Sequence, residues 1–322
     1  MPEPLTPGSQ DGVLGRLIPL HPPPADVPAA ANAGRGPDAA GGPDWERRLA
    51  GSFAFLRRRL TGEYEVDDFG FDAELTGDVL LPALRPLYSR WFRVETRGLD
   101  NVPDTGGALV VANHSGTIPL DALMTAIALV EDHPAHRHLR MLAADLVLDT
   151  PVLAPLARKM GSTLACHADA ERLLAAGELV GVFPEGFKGI GKSFRDRYKL
   201  QRFGRGGFVT AALRTGVPII PCSIVGAEEI YPKIADLRTL ARLLGLPYLP
   251  VTPTFPLLGP LGLVPLPSKW LIEFGEPIET AHLGGPEAAD DPMLVFDLTD
   301  RVRETIQATL YALLMQRRST FF

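Results

Sequence analysis

Two residues with acid–base chemistry, His114 and Asp121, stand seven positions apart in Asn113-His114-Ser115-Gly116-Thr117-Ile118-Pro119-Leu120-Asp121. An imidazole titrates near pH 6.5, so a carboxylate on one ring nitrogen leaves the other ready to take a proton from an alcohol. Were residues 114 to 121 all helical, the pair would lie about 10 Å apart at about 1.5 Å per residue, too far for a hydrogen bond. Ser115 to Ile118 must therefore loop back, with Pro119 opening a helix that carries Asp121. Downstream, Phe183-Pro184-Glu185-Gly186 closes an apolar run, and its turn is expected to fix a carboxylate and bare backbone N–H groups. Val217-Pro218-Ile219-Ile220-Pro221 is the third signal.

Beyond Glu185 the chain turns basic, with Lys188, Lys192, Arg195, Arg197, Lys199, Arg202 and Arg205 against a single Asp196. Such a run is either a solvated loop or a site for phosphates, acidic head groups or anionic lipid. The same stretch, Gly186-Phe187-Lys188-Gly189-Ile190-Gly191-Lys192-Ser193, also matches the nucleotide-binding P-loop pattern. On that reading glycine N–H groups cradle phosphates, Lys192 meets the terminal phosphate and Ser193 meets magnesium. No strand ending in a magnesium-binding aspartate follows it.

The elements that must position these residues alternate. Apolar runs at 108–112, 139–143, 162–165, 179–183, 219–225 and 270–274 are separated by helical stretches near 120–130, 151–160, 168–177 and 205–215. This predicts an α/β fold with a mixed, mostly parallel sheet flanked by helices. A long closing helix is expected over 292–316. Ten prolines, seven glycines and seven alanines in residues 1–43 predict a disordered tail. From Asp44, Trp45, Leu49, Phe53, Leu56 and Leu60 recur at helical spacing opposite arginines, an amphipathic helix suited to a solvated surface or to an anionic membrane. With a second helix near 78–92 it forms an expected N-terminal segment, 44–92, ahead of a catalytic domain over 93–322. Residues 243–268 hold seven prolines and cannot form one helix. They suit a wrapping loop, a wall of an acyl groove, or a patch against lipid.

Composition narrows the classes further. A formal charge of −6 on 322 residues argues against nucleic acid as a partner. Cys166 and Cys222, each in an apolar run, read as buried thiols in a reducing cytoplasm. Neither a signal peptide nor a spanning helix is visible. His133, His136 and His138 lack ligand partners at metal spacing, so no metal is expected. A serine hydrolase would need Gly-x-Ser-x-Gly, and Ser115 beside His114 is all that remains of that reading.

The chain resembles the glycerolipid acyltransferase family, the PlsC-like lysophospholipid and glycerol-phosphate acyltransferases, over roughly residues 92 to 277. Asn113-His114 with Asp121, Phe183-Pro184-Glu185-Gly186 and the Val217 to Pro221 run carry the resemblance. It implies His114 as general base, Asp121 as its orienting acid, and Glu185 with Gly186 holding the acceptor. It also implies transfer from an acyl thioester, on coenzyme A or a carrier protein, to a lipid hydroxyl, with no other cofactor. Oxyanion donors would come from backbone N–H groups around Gly116 or Pro119. Six residues between His and Asp, where four are usual, match the longer-spaced branch that includes neutral-lipid acyltransferases, so diacylglycerol or an alcohol is an alternative acceptor. The position of the family's phosphate-binding arginine holds His167, with Arg172 as the nearby cation. Lys188, Lys192 and Arg195 complete the expected substrate contacts, and peripheral attachment to the inner membrane face follows. A nucleotide-binding protein or a non-catalytic lipid binder would be the alternatives.

Overall fold

The computed structural model describes residues 44–321 apart from 116–117, 119, 152 and 244–248. The chain divides into one unit ending at Tyr64 and a second beginning at Glu65. In the first, helix Asp44–Thr61 exposes Phe53, Leu56 and Leu60, and the Arg59 guanidinium lies over the Phe55 and Tyr64 rings. The expected disordered tail, 1–43, lies outside the described residues.

The second unit is built on strands β1 (Glu95–Arg97), β2 (Ala108–Ala112), β3 (Leu139–Ala143), β4 (Thr163–Leu164), β5 (Leu179–Val182) and β6 (Ile219–Val225). A short ribbon of β7 (Ala235–Asp236) and β8 (Pro250–Val251) precedes β9 (Leu271–Phe274). The main sheet has the order β1-β9-β6-β2-β5-β3-β4. Its pairs are parallel except β6 with β9. The helices Leu120–Glu131, His167–Ala175 and Gly207–Thr215 are crossovers of the kind that parallel neighbours require. The expected mixed, mostly parallel architecture is therefore present.

Central β2 reads Ala-Leu-Val-Val-Ala, without polar alternation, because both of its faces are covered. Leu109 and Val111 enter one core with the helices His167–Ala175, Gly207–Thr215 and Pro292–Gln316. Ala108, Val110 and Ala112 enter the other, against Met124, Ile127 and Ala128. Each buried valine or leucine contributes about 1.5–3 kcal/mol, and together they fix the strand register. Leu81, Tyr88 and Phe92 belong to the second core, and Phe92 stacks on Trp270 at 4.7 Å. The helical turns from Ala73 to Trp91 are thus integral to the second unit, whereas a boundary at residue 92 was expected.

Cys222 is fully buried, and burial drives its thiol far above its ordinary pKa. Cys166 is only half-buried, contrary to expectation, because it sits just ahead of helix His167–Ala175 at the sheet margin. The β2, β3, β5 and β6 strands run the same way, so their following loops gather at one edge of the sheet.

Candidate active site

His114 follows β2 by two residues and Glu185 follows β5 by three, which brings two sequence-distant loops together. Asn113 holds the first of them. Its buried side-chain amide donates to the Ile224 carbonyl at 3.0 Å and accepts the Ile224 N–H at 2.7 Å, extending the β2–β6 pairing by one step. Helix Leu120–Glu131 brings the Asp121 carboxylate to the His114 ring, with Nδ1 2.7 Å from Oδ2. That carboxylate also accepts the Ser115 N–H at 2.9 Å on Oδ2 and the Ala122 N–H at 2.9 Å on Oδ1. A fully buried acid with three donors is a fixed acceptor, so it favours the tautomer with the proton on Nδ1. Among the described residues Nε2 has no hydrogen-bond partner, and the His114 side chain is 13% exposed. Phe183 stacks on the imidazole at 4.4 Å and 15° and holds its plane.

Glu185 lies beneath this pair and holds backbone donors. Its Oε1 accepts the His114 N–H at 3.0 Å and its Oε2 accepts the Gln201 N–H at 2.6 Å. Its side chain is fully inaccessible, and these two bonds fix the backbone of the base, where contact with the acceptor was expected. Lys192 is likewise buried, 2.9 Å from Glu228 and 3.6 Å from Glu185. Its ammonium is thus paired inside the protein. Glu228 also accepts the Tyr198 N–H at 2.9 Å, and burial raises its pKa to about 7.

The P-loop reading fails on the same geometry. Residues Phe187–Ile190 form a single helical turn in which the Lys188, Gly189, Gly191 and Lys192 amides all donate to nearby carbonyls. No nest of free N–H groups is left for phosphates, and Lys192 is already paired. The glycines serve packing instead. Gly186 takes φ 53°, and a Cβ on Gly189 would sit 2.8 Å from the His114 carbonyl oxygen and 2.9 Å from Glu185 Cβ.

Lys188 and Arg195 are exposed and carry no carboxylate partner among the described residues. Lys188 adjoins Gly189, which touches His114, and is the nearest of the basic run to the base in sequence. His167 is exposed at the head of its helix with its ring against Gly207. Arg172 is 59% exposed and occupied by Asp68, Asp169 and the Phe69 ring. The Ser115 side chain is wholly buried, which removes it as a nucleophile. The Gly116 and Pro119 oxyanion donors lie outside the described residues. His133 and His136 bond backbone carbonyls, and His138 packs on Phe71, so all three have structural roles. Sequence reading missed Phe183 as a ring support, Gly189 as a contact, and the Lys192–Glu228 pair. Only Phe183 had a signal, its place within the Phe-Pro-Glu-Gly run.

Over 279 residues the chain is 61% identical to an uncharacterised protein of Mycobacterium tuberculosis, covering 87% of this chain and 78% of the relative. The profile of the family described as Acyltransferase matches residues 93–225, the span that contains His114, Asp121 and Glu185. The chain belongs to the acyltransferase family. This acyltransferase is also 24% identical to a Borreliella burgdorferi 1-acyl-sn-glycerol-3-phosphate acyltransferase, over 46% of this chain and 57% of that one. A solved Thermotoga maritima 1-acyl-sn-glycerophosphate acyltransferase, PlsC, aligns with 82% of the acyltransferase and 89% of its own chain, at TM-score 0.49 and 21% identity. No helix of the acyltransferase, among the described residues, is long and apolar enough to cross a membrane.

Proposed function

We propose that this acyltransferase moves a fatty acyl group from an acyl thioester to a hydroxyl of a glycerolipid or lysophospholipid by a sequential, His-based reaction. The observation that carries the reading is the 2.7 Å His114–Asp121 pair, with the second ring nitrogen unpartnered among the described residues. His114 Nε2 takes the acceptor's hydroxyl proton as that oxygen attacks the thioester carbonyl carbon. The tetrahedral intermediate collapses with breakage of the C–S bond, and the thiolate receives the proton back from the imidazolium. Asp121 stabilises the imidazolium without itself taking the proton.

Exposed Ile118, Leu146, Leu153 and Phe187 all follow strands that end at the catalytic edge, which suits an acyl chain or a lipid surface. Lys188 and Arg195 are the cations for a phosphate-bearing acceptor. A crevice of about 380 Å³ is lined by Arg197, Lys199 and Arg318, with Arg317 paired to Glu229 in its wall, and offers further positive charge to a phosphorylated thioester carrier. The test is release of free thiol from a long-chain acyl-CoA or acyl carrier protein with lysophosphatidic acid, other lysophospholipids, diacylglycerol and long-chain alcohols. Transfer to a phosphate-bearing lipid is expected. Transfer to diacylglycerol or alcohols alone would favour the neutral-lipid reading, and no transfer with any pair would refute the proposal.

A further inference from the structure

The segment after β6 carries a surface that the acyl-transfer chemistry does not use. Ile234, Leu257, Leu258, Leu261, Leu263 and Val264 are 66%, 83%, 52%, 71%, 50% and 50% exposed. Apolar side chains gathered this densely in a single connection are uncommon on a protein that meets only water.

What distinguishes the segment is its backbone. The Thr252 N–H donates to Phe255, Leu258 to Thr254, Gly259 to Pro256, Leu261 to Leu258 and Val264 to Leu261, all within the loop. The Thr254 hydroxyl donates to the Gly262 carbonyl, and the Gly262 Cα lies so close to Phe255 that a Cβ there would come within 2.9 Å of it. The loop is anchored to the body by polar groups, with the Tyr231 hydroxyl on the Leu263 carbonyl at 2.5 Å and the Trp91 indole N–H on Pro265 at 3.0 Å. None of its exposed leucines belongs to either core. A loop that satisfies its own amides and turns its leucines outward can enter an interface where water is scarce, since few backbone groups would be stranded there.

Charge identifies the occupant. The Phe194 N–H donates to the Lys233 carbonyl at 3.1 Å, so Arg195 adjoins the segment leading to Ile234. Exposed Arg195 has no carboxylate partner among the described residues. An apolar tip beside a cationic flank matches a bilayer with anionic head groups.

We propose that the loop at 252–264, with Ile234, inserts into an anionic lipid bilayer and sets the catalytic edge against it. The inference deepens the proposed function, because a lipid acceptor would then arrive from that bilayer, but its test needs no turnover. Flotation of the full chain with phosphatidylcholine vesicles, with and without phosphatidylglycerol, measures partition directly. Wild type should float with the anionic vesicles. The Leu257→Asp/Leu261→Asp double variant should lose about tenfold or more in partition while keeping its circular dichroism and its turnover of a water-soluble short-chain thioester. Arg195→Glu should lose about tenfold on anionic vesicles and nothing on neutral ones. Wild-type flotation by the leucine variant, with binding carried by helix Asp44–Thr61 instead, would overturn the proposal. So would absence of wild-type flotation, or a leucine-dependent dimer without vesicle binding. Lost acyl transfer with intact flotation would refute the reaction and leave the docking surface standing.

Discussion

Asp121→Asn tests the base at its support. Asp121 receives three protons' worth of donors, His114 Nδ1 and the Ser115 N–H on one oxygen and the Ala122 N–H on the other. An asparagine can keep its oxygen toward His114 and Ser115, and then its NH₂ faces the Ala122 N–H. Flipped, its NH₂ faces both Ser115 and the ring, and the imidazole can accept it only by moving its proton to Nε2, where a base needs a lone pair. Either arrangement sets donor against donor in a fully buried site, at a cost of about 1–3 kcal/mol of stability. The melting temperature should fall by a few degrees. Catalysis should suffer more. Loss of general-base action corresponds to about 10² to 10⁴ in kcat, or about 3–5 kcal/mol of transition-state stabilisation. The KM for the thioester should change little, because neither residue is argued to bind it. Thiol-release kinetics on folded variant measure both quantities. A second measurement guards against mere misfolding, since Asp121→Asn added to His114→Ala should cause no further loss in rate if the two act as one unit. A folded Asp121→Asn enzyme with kcat near wild type would refute the orienting role, and an additive double variant would refute the coupling.

Gly189→Ala places a methyl 2.8 Å from the His114 carbonyl and 2.9 Å from Glu185 Cβ, neither at the end of a flexible chain. About 1–3 kcal/mol of destabilisation and a fall in kcat of tenfold or so are expected from displacement of the base, and unchanged kinetics would show that the turn is not needed for it. Asn113→Ala strands both the N–H and the carbonyl of Ile224 in the core, so a loss of about 2–4 kcal/mol in denaturant titration is expected, and a smaller loss would show that the β2–β6 pairing does not depend on the amide. Glu228 is raised from 4.5 to about 7, chiefly by burial and against the pull of Lys192. The folded state therefore keeps that proton where the unfolded chain has released it, and stability from this group is present below about pH 4.5 and lost as pH rises toward 7. Glu228→Gln, with no proton to lose, should flatten the slope of melting temperature between those limits, and an unchanged slope would assign the pH dependence to another group.

The sheet was legible because hydrophobic runs of strand length alternate with helical periodicity, and burial on both faces makes β2 apolar throughout. The His114–Asp121 pair was legible for a different reason: a proline-punctuated loop between a strand and a helix can bring residues seven apart together where a continuous helix cannot. Glu185 and Lys192 were read as ligand contacts because both carry charges, and a charge in a loop suggests contact with a ligand. Their burial depends on residues far along the chain, Gln201 and Glu228, whose positions follow from the tertiary fold and leave no local pattern. The same holds for Gly189, which looks like one glycine among several until the backbone of His114 is laid against it. The acidic and basic groups beneath the base thus form a support whose members are interpretable only together. Glu185 fixes the main chain of His114, Lys192 compensates Glu185, and Glu228 compensates Lys192 in turn. A charge removed at the far end of that series should be felt at the base through position and not through contact, which is why a conservative change at Glu228 is expected to alter stability with pH before it alters the chemistry.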